Sequence, residues 1–230
     1  MHGNYCSQCG QPAGLKKIDG HYIINEIRDV LFTDSGFIYT INRMLVSPGE
    51  SVRHYLTEDR SRFAKPITFI VISALIYTLV SHLFKIGVEA YSLQEQEIAL
   101  PTFNLLINWI IDNHGYASIL ITFFMAFWIK LFFRKSGFNL FEIFVLICFI
   151  SGISQLFISV VLFFQGITHL KLFHISIFFV MVYQIWGIGQ FFDKKKAISY
   201  IKALLSYAFG ILTFTFLMTF IVLLVDIILK

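Results

Sequence analysis

The chain has 230 residues, of which 57% are hydrophobic, 17% aromatic and only 14% charged, with 27 Phe and a formal net charge of +4. Soluble domains carry about 25% charged residues, so this composition excludes a disordered chain, a disulfide scaffold and an ordinary soluble enzyme. It predicts an all-α fold: a polytopic helical membrane protein with a small amphipathic helical region at its cytoplasmic amino terminus.

Residues 1–65 hold 8 of the 18 Lys and Arg and 7 of the 14 Asp and Glu, and read as a water-facing cytoplasmic head. Its first motif is Cys6-Ser7-Gln8-Cys9-Gly10-Gln11. Two thiolates two residues apart, followed by glycine, make a knuckle that grips one side of a tetrahedral zinc ion. The glycine keeps a side chain away from backbone N–H groups that turn toward the sulfurs. A closed structural site needs further ligands, and His2, His21, His54 or the same knuckle of a second copy are the candidates. A vestigial half-site and a redox dithiol are the other readings, the dithiol without the strand–helix context it usually has. A cytoplasmic location keeps both thiols reduced. The remaining cysteine, Cys148, falls within an apolar run and reads as a small apolar residue.

Three short amphipathic helices follow. Ile23, Ile24, Ile27, Val30 and Leu31 recur at helical spacing, and Asp34-Ser35-Gly36 ends that run. Phe37, Ile38, Ile41, Met44 and Leu45 form a second stripe. Ser47-Pro48-Gly49-Glu50 reads as a capping box with proline at the first helical position of a third helix. None of these stripes is buried by its own helix, so they pack together, lie on the bilayer or hold another protein. Arg53, Arg60, Arg62 and Lys65 lead into the membrane and suit anionic lipid headgroups, worth about 1 kcal/mol each near the surface. The positive-inside rule accounts for the same residues with no lipid specificity.

The stretches Tyr5–Gln11, Gly36–Ile41 and Ser47–Gly49, with Arg53, Tyr55, Leu56, Arg60, Arg62, Lys65 and Pro66, resemble a family of bacterial integral membrane proteins, domain-of-unknown-function family 3667, common in Bacteroidota. The resemblance covers residues 5–70. It implies a bacterial inner-membrane protein with no established activity, and relatives with two cysteine knuckles ahead of the helices where this chain has one.

The composition changes at Pro66, and residues 66–230 read as a transmembrane bundle. Residues 67–84 carry no charge, and 18 residues at 1.5 Å each approach the roughly 30 Å hydrocarbon thickness. Further apolar runs cover 116–133, 140–164, 172–192 and 203–229, giving five spans, or four if the second is discounted. That second run contains Lys130, which must snorkel. The loop 85–115 includes Leu105, Leu106, Trp109 and Ile110 on one helical face, either an interfacial or re-entrant helix or a pore-lining segment. The first 20 residues have no central apolar stretch, so the first span is expected to serve as the insertion signal.

Ten basic residues fall on one side of this topology: Arg60, Arg62 and Lys65; Lys130, Arg134 and Lys135; Lys194, Lys195, Lys196 and Lys202. The other side has Lys85, Lys171 and Lys230 among several acids. The positive-inside rule then puts the amino terminus in the cytoplasm and, for five spans, the carboxyl terminus outside.

Within the spans no carboxylate or basic residue falls near a midplane, so proton-coupled transport lacks its usual groups. Ser151, Gln155 and Gln184 form the candidate polar intramembrane face, as interhelical glue or as a line for a small permeant. His54 is the best candidate base, and a lipid-active cluster of His54, Glu142, His169 and His174 is mostly forbidden by topology. No nucleophile–base pair, paired carboxylates or phosphate loop is found, so no catalytic residue is assigned. The expected function is a non-enzymatic inner-membrane adaptor or assembly protein whose head binds a soluble partner or anionic lipid headgroups. The alternative is a homo-oligomeric channel or small-molecule transporter. Nucleic acid is not an expected partner.

Overall fold

The computed structural model describes residues 36–84, 114–170 and 172–228. The knuckle at Cys6 and Cys9, the helix expected over 23–31 and most of the 85–115 loop lie outside the described residues. Every regular element among the described residues is an α-helix: α1 (Phe37–Val46), α2 (Pro48–Thr57), α3 (Pro66–Phe84), α4 (His114–Phe132), α5 (Leu140–Thr168), α6 (Phe173–Asp193) and α7 (Ala197–Ile228). Four of them, α3, α5, α6 and α7, are long and apolar enough to cross a membrane. The chain is a multi-pass helical membrane protein. The expected second span is present as α4, but its apolar stretch Ala117–Phe132 falls short of that length, so four helices meet the requirement.

Boundaries follow local chemistry. Asn139 caps α5 by accepting from the Glu142 N–H while the Glu142 carboxylate accepts from the Asn139 N–H, a complete capping box. This gives Glu142 a local structural partner at the helix's positive end. α7 begins at Ala197, six residues before the expected span, because Ile198 and Ile201 continue the helix through Lys202. The α6–α7 hinge is therefore only residues 194–196.

Contacts along the helices fix their directions. Phe69 lies against Gly152 and Phe84 against Gly166, so α3 and α5 run parallel. Gln184 meets Ser154 and Gly187 meets Ile150, so α6 runs opposite to α5. Phe124 packs on Phe214 and Phe132 on Phe209, so α4 runs opposite to α7. The hinges 133–139 and 194–196 consequently share one end of the bundle, the basic end.

α5 is the central helix, with α3, α4 and α6 packed around it. Helix association gains little from the hydrophobic effect inside a lipid core, so close packing and interhelical hydrogen bonds must supply it. Gly152 shows the packing: a Cβ there would come within 2.6 Å of the Phe69 ring. One cluster of buried side chains joins Met44, Val52, Tyr55, Phe63 and Phe69 to Ile129, Phe149, Ile150 and Phe191. Residues 37–57 thus share the core of the spans.

These residues form a helical hairpin that enters the bundle from the basic end. Pro48, Gly187 and Ile150 meet at one point, ten residues into α5, or about 15 Å down its axis. Backbone at such depth must find partners within the protein. The Gly49 N–H donates to Gln190 Oε1 at 2.8 Å, the Tyr183 hydroxyl to the Met44 carbonyl at 3.0 Å, and the Ser51 hydroxyl to the Arg43 carbonyl at 3.0 Å. Only glycine fits at position 49, where a Cβ would sit 2.6 Å from the Gly187 carbonyl oxygen and 2.7 Å from the Gln190 carbonyl carbon. Pro48 does occupy the first turn, but Ser47 makes no side-chain capping bond and Glu50 pairs with Lys194. Gln190 satisfies the N–H of Gly49 instead, so tertiary structure takes over the role expected of the local box.

Candidate functional site

The basic end carries the features from which a site can be built. α2 crosses the end of α6, and its Arg53 donates to the carbonyls of Phe191 and Phe192, the latter at 2.9 Å. Those carbonyls close the C-terminal turn of α6, where a cation also meets the negative end of the helix dipole. Arg60 does the same for its own helix, donating to the Tyr55 and Leu56 carbonyls at 3.3 Å. Arg62 is exposed and lies 3.9 Å from Asp59, while Lys65 is half-buried. Of the four residues expected to face lipid, Arg53 and Arg60 are thus occupied as helix caps.

A second set of cations converges beside α2. A cleft of about 830 Å³ opens between the α4–α5 and α6–α7 hinges. Arg53, Arg134, Lys135, Lys196 and Lys202 line it together with a single acid, Asp193. Lys196 is 2.9 Å from Asp193, and that hydrogen bond raises the Lys196 pKa above its usual value. Arg134, Lys135 and Lys202 have no acidic partner among the described residues. The floor is aromatic: Phe133 stacks on Phe192 at 3.8 Å, and the Lys202 amine sits 5.5 Å from the centre of the Phe133 ring. Lys130 reaches this end as expected of a snorkelling side chain and donates to the Phe138 carbonyl at 2.6 Å.

On the other flank of α2, Lys194 and Glu50 pair at 2.6 Å, and their hydrogen bond raises the Lys194 pKa. His54 Nδ1 lies 2.7 Å from Oε2 of Glu58, the residue that caps the end of α2. His169 terminates α5 in a left-handed conformation at the far end of the bundle. The structure therefore separates His54 and Glu142 from His169, and the described residues contain no group of three His, Cys, Asp or Glu able to hold a metal ion.

The polar intramembrane residues are tied to neighbouring helices. Gln155 donates to Ser118 of α4, and Gln184 donates to Ser154 of α5 at 3.2 Å. Ser151 is buried beside them on α5. These bonds tie α5 to α4 and to α6, and such bonds favour helix association in a membrane. Sequence reasoning missed the cleft because its cations come from separate hinges. It also missed the receptor for the hairpin; the available signal was Gly187 and Gln190, a small and a polar residue within the otherwise apolar end of α6.

The family model described as Protein of unknown function (DUF3667) matches residues 34–78. The chain is similar to that family there. The matched stretch contains α1, α2 and most of α3, so it covers the hairpin and the helix beside it. No curated protein and no solved structure matches the chain.

Proposed function

We propose that this protein is a non-enzymatic adaptor of the bacterial inner membrane whose basic end faces the cytoplasm and binds anionic lipid headgroups. The observation that carries the reading is the convergence of the two basic hinges and α2 on one end of the bundle, with five cations and one acid around a single cleft. The positive-inside rule places such an end, and the amino terminus with it, in the cytoplasm. The seating of the hairpin supports an adaptor, because it anchors Gly36, where the described chain begins, against Arg62, Phe63 and Ala64 at the membrane entry. Within residues 1–35, Cys6 and Cys9 would supply two thiolates for a structural zinc ion, and a soluble partner would dock on that segment.

The test is extraction of the full chain into native nanodiscs after crosslinking in the membrane, followed by mass spectrometry of lipids and proteins. Enrichment of anionic phospholipid over the bulk membrane, with a soluble partner crosslinked to residues 1–35, is the expected result. Bulk lipid composition and self-crosslinks alone would reject the reading in favour of a homo-oligomer.

A further inference from the structure

We propose that the cleft between the α4–α5 and α6–α7 hinges is a saturable site for the phosphate group of a lipid, of the phosphate-monoester class typified by phosphatidate. This rests on the proposal that the basic end meets anionic lipid, and it adds a defined site and a ligand to that reading.

Four observations converge on it. Arg134, Lys135 and Lys202 surround the cleft with no acidic partner among the described residues, so their charge is available to a ligand. The first turn of α7 contributes Ile198 and Ser199 to the wall and contains no acid. A 32-residue helix thus turns the positive end of its dipole toward the same space. The Ser136 hydroxyl is buried in the lining and has no hydrogen-bond partner among the described residues. A buried hydroxyl in that state carries a desolvation cost that an acceptor oxygen in the cleft would remove.

The fourth observation selects a lipid over a free ion. Leu131 and Ile198 form part of the wall and are 48% and 52% exposed, so the lining carries apolar surface to its edge. Their helices continue along the membrane as exposed apolar side chains, Phe127 on α4 and Ile201 and Leu205 on α7. A headgroup in the cleft can therefore leave its acyl chains on a lipid-facing surface. A cleft of about 830 Å³ is also far larger than one inorganic phosphate needs. A monoester carries up to two negative charges and three terminal oxygens, enough to engage several of these donors at once.

The experiment uses the full chain in detergent, titrated with dioctanoyl phosphatidate and read by native mass spectrometry and thermal melting. Phosphatidylglycerol and phosphatidylcholine of the same chain length, and inorganic phosphate, serve as comparison ligands. Arg134→Gln with Lys135→Gln removes two exposed cleft cations, and the expected loss is about thirtyfold in affinity, from roughly fivefold per basic side chain. Lys194→Gln with Lys195→Gln removes two charges from the basic end outside the cleft, and near wild-type affinity is expected. Ser136→Ala probes the cleft without changing charge, with an expected loss of about fivefold.

Equal losses in the two double variants, or none in the cleft variant, would overturn the site while leaving a diffuse anionic preference and the adaptor reading intact. No preference for any anionic lipid would overturn both. Displacement of phosphatidate by an equal concentration of inorganic phosphate would overturn the lipid as the source of the phosphate.

Discussion

α5 and α7 are almost equally apolar, with mean hydropathies of 2.4 and 2.2 over their most apolar windows, yet 78% of the first window is buried and only 17% of the second. Hydropathy therefore says that both belong in a membrane and nothing about which one lies at the centre. The distinction is carried by small and polar residues. α5 contains Ser151, Gly152, Ser154, Gln155 and Ser159, all buried against other helices. Much of α7 presents Leu212, Phe216, Phe220 and Ile227 outward, the last 72% exposed. Inside a lipid core, burial is earned by close approach and hydrogen bonding, since Leu is as comfortable in lipid as in protein.

The largest effect is expected where the hairpin meets α6, which behaves like the α5 core. Gly49→Val would drive a side chain into backbone atoms of Gly187 and Gln190 that cannot rotate away. A loss of about 3 kcal/mol or more is expected, visible as a collapsed monodisperse peak in detergent. A wild-type melt would show that the hairpin is not seated there.

Gly152→Leu on α5 against Phe216→Ala on α7 tests the comparison directly. The first must displace the Phe69 ring and should cost about 1–3 kcal/mol. The second removes a side chain that is 75% exposed and should stay within about 0.5 kcal/mol. Equal costs in thermal melts would mean that α7 also faces protein, as in a homo-oligomer. Gln155→Leu is a finer probe, because it breaks the bond to Ser118. Its expected cost is about 0.6 kcal/mol, the average for an interhelical hydrogen bond in a membrane.

The smallest effect is electrostatic. Lys194 is exposed, and its pKa is raised above 10.5 by the hydrogen bond to Glu50. A base whose folded pKa is raised stabilises fully below its unfolded pKa, and that stabilisation is lost as pH rises through the folded value. The α2–hinge tie should therefore be unchanged from neutral pH to about pH 10 and weaken only in stronger alkali. Comparing melts of wild type and Lys194→Gln across that range checks it: the difference between the two should narrow only at the alkaline end.

Much of this fold was legible in the sequence. Apolar runs about as long as the hydrocarbon core is thick leave few alternatives, and the expected spans match α3, α5 and α6 closely at most ends. The start of α7 was misplaced because Lys202 was taken to mark the hinge, whereas a lysine can remain in a helix with its amine over an aromatic ring. The seat of the hairpin was not legible. The stripe of Phe37, Ile41 and Met44 shows that something must cover it, but the partner residues lie about 140 positions away, and an apolar stripe does not name its partner. The cleft failed for the same reason: Arg134 and Lys202 each obey a topology rule, and only the folded chain brings them to one place.

The bond between Gly49 and Gln190 spans 141 positions, which gives the molecule an order of events in time. At a synthesis rate of about 5–20 residues per second, α6 follows the hairpin out of the ribosome by roughly 7–28 s. Throughout that interval α2 has no α6 to receive it, and the N–H of Gly49 has no Gln190. The hairpin must wait at the membrane, held by the insertion machinery or by lipid, until α6 has been made. A nascent chain arrested before Phe173 would keep the hairpin open to protease, and one released after Asp193 would close it.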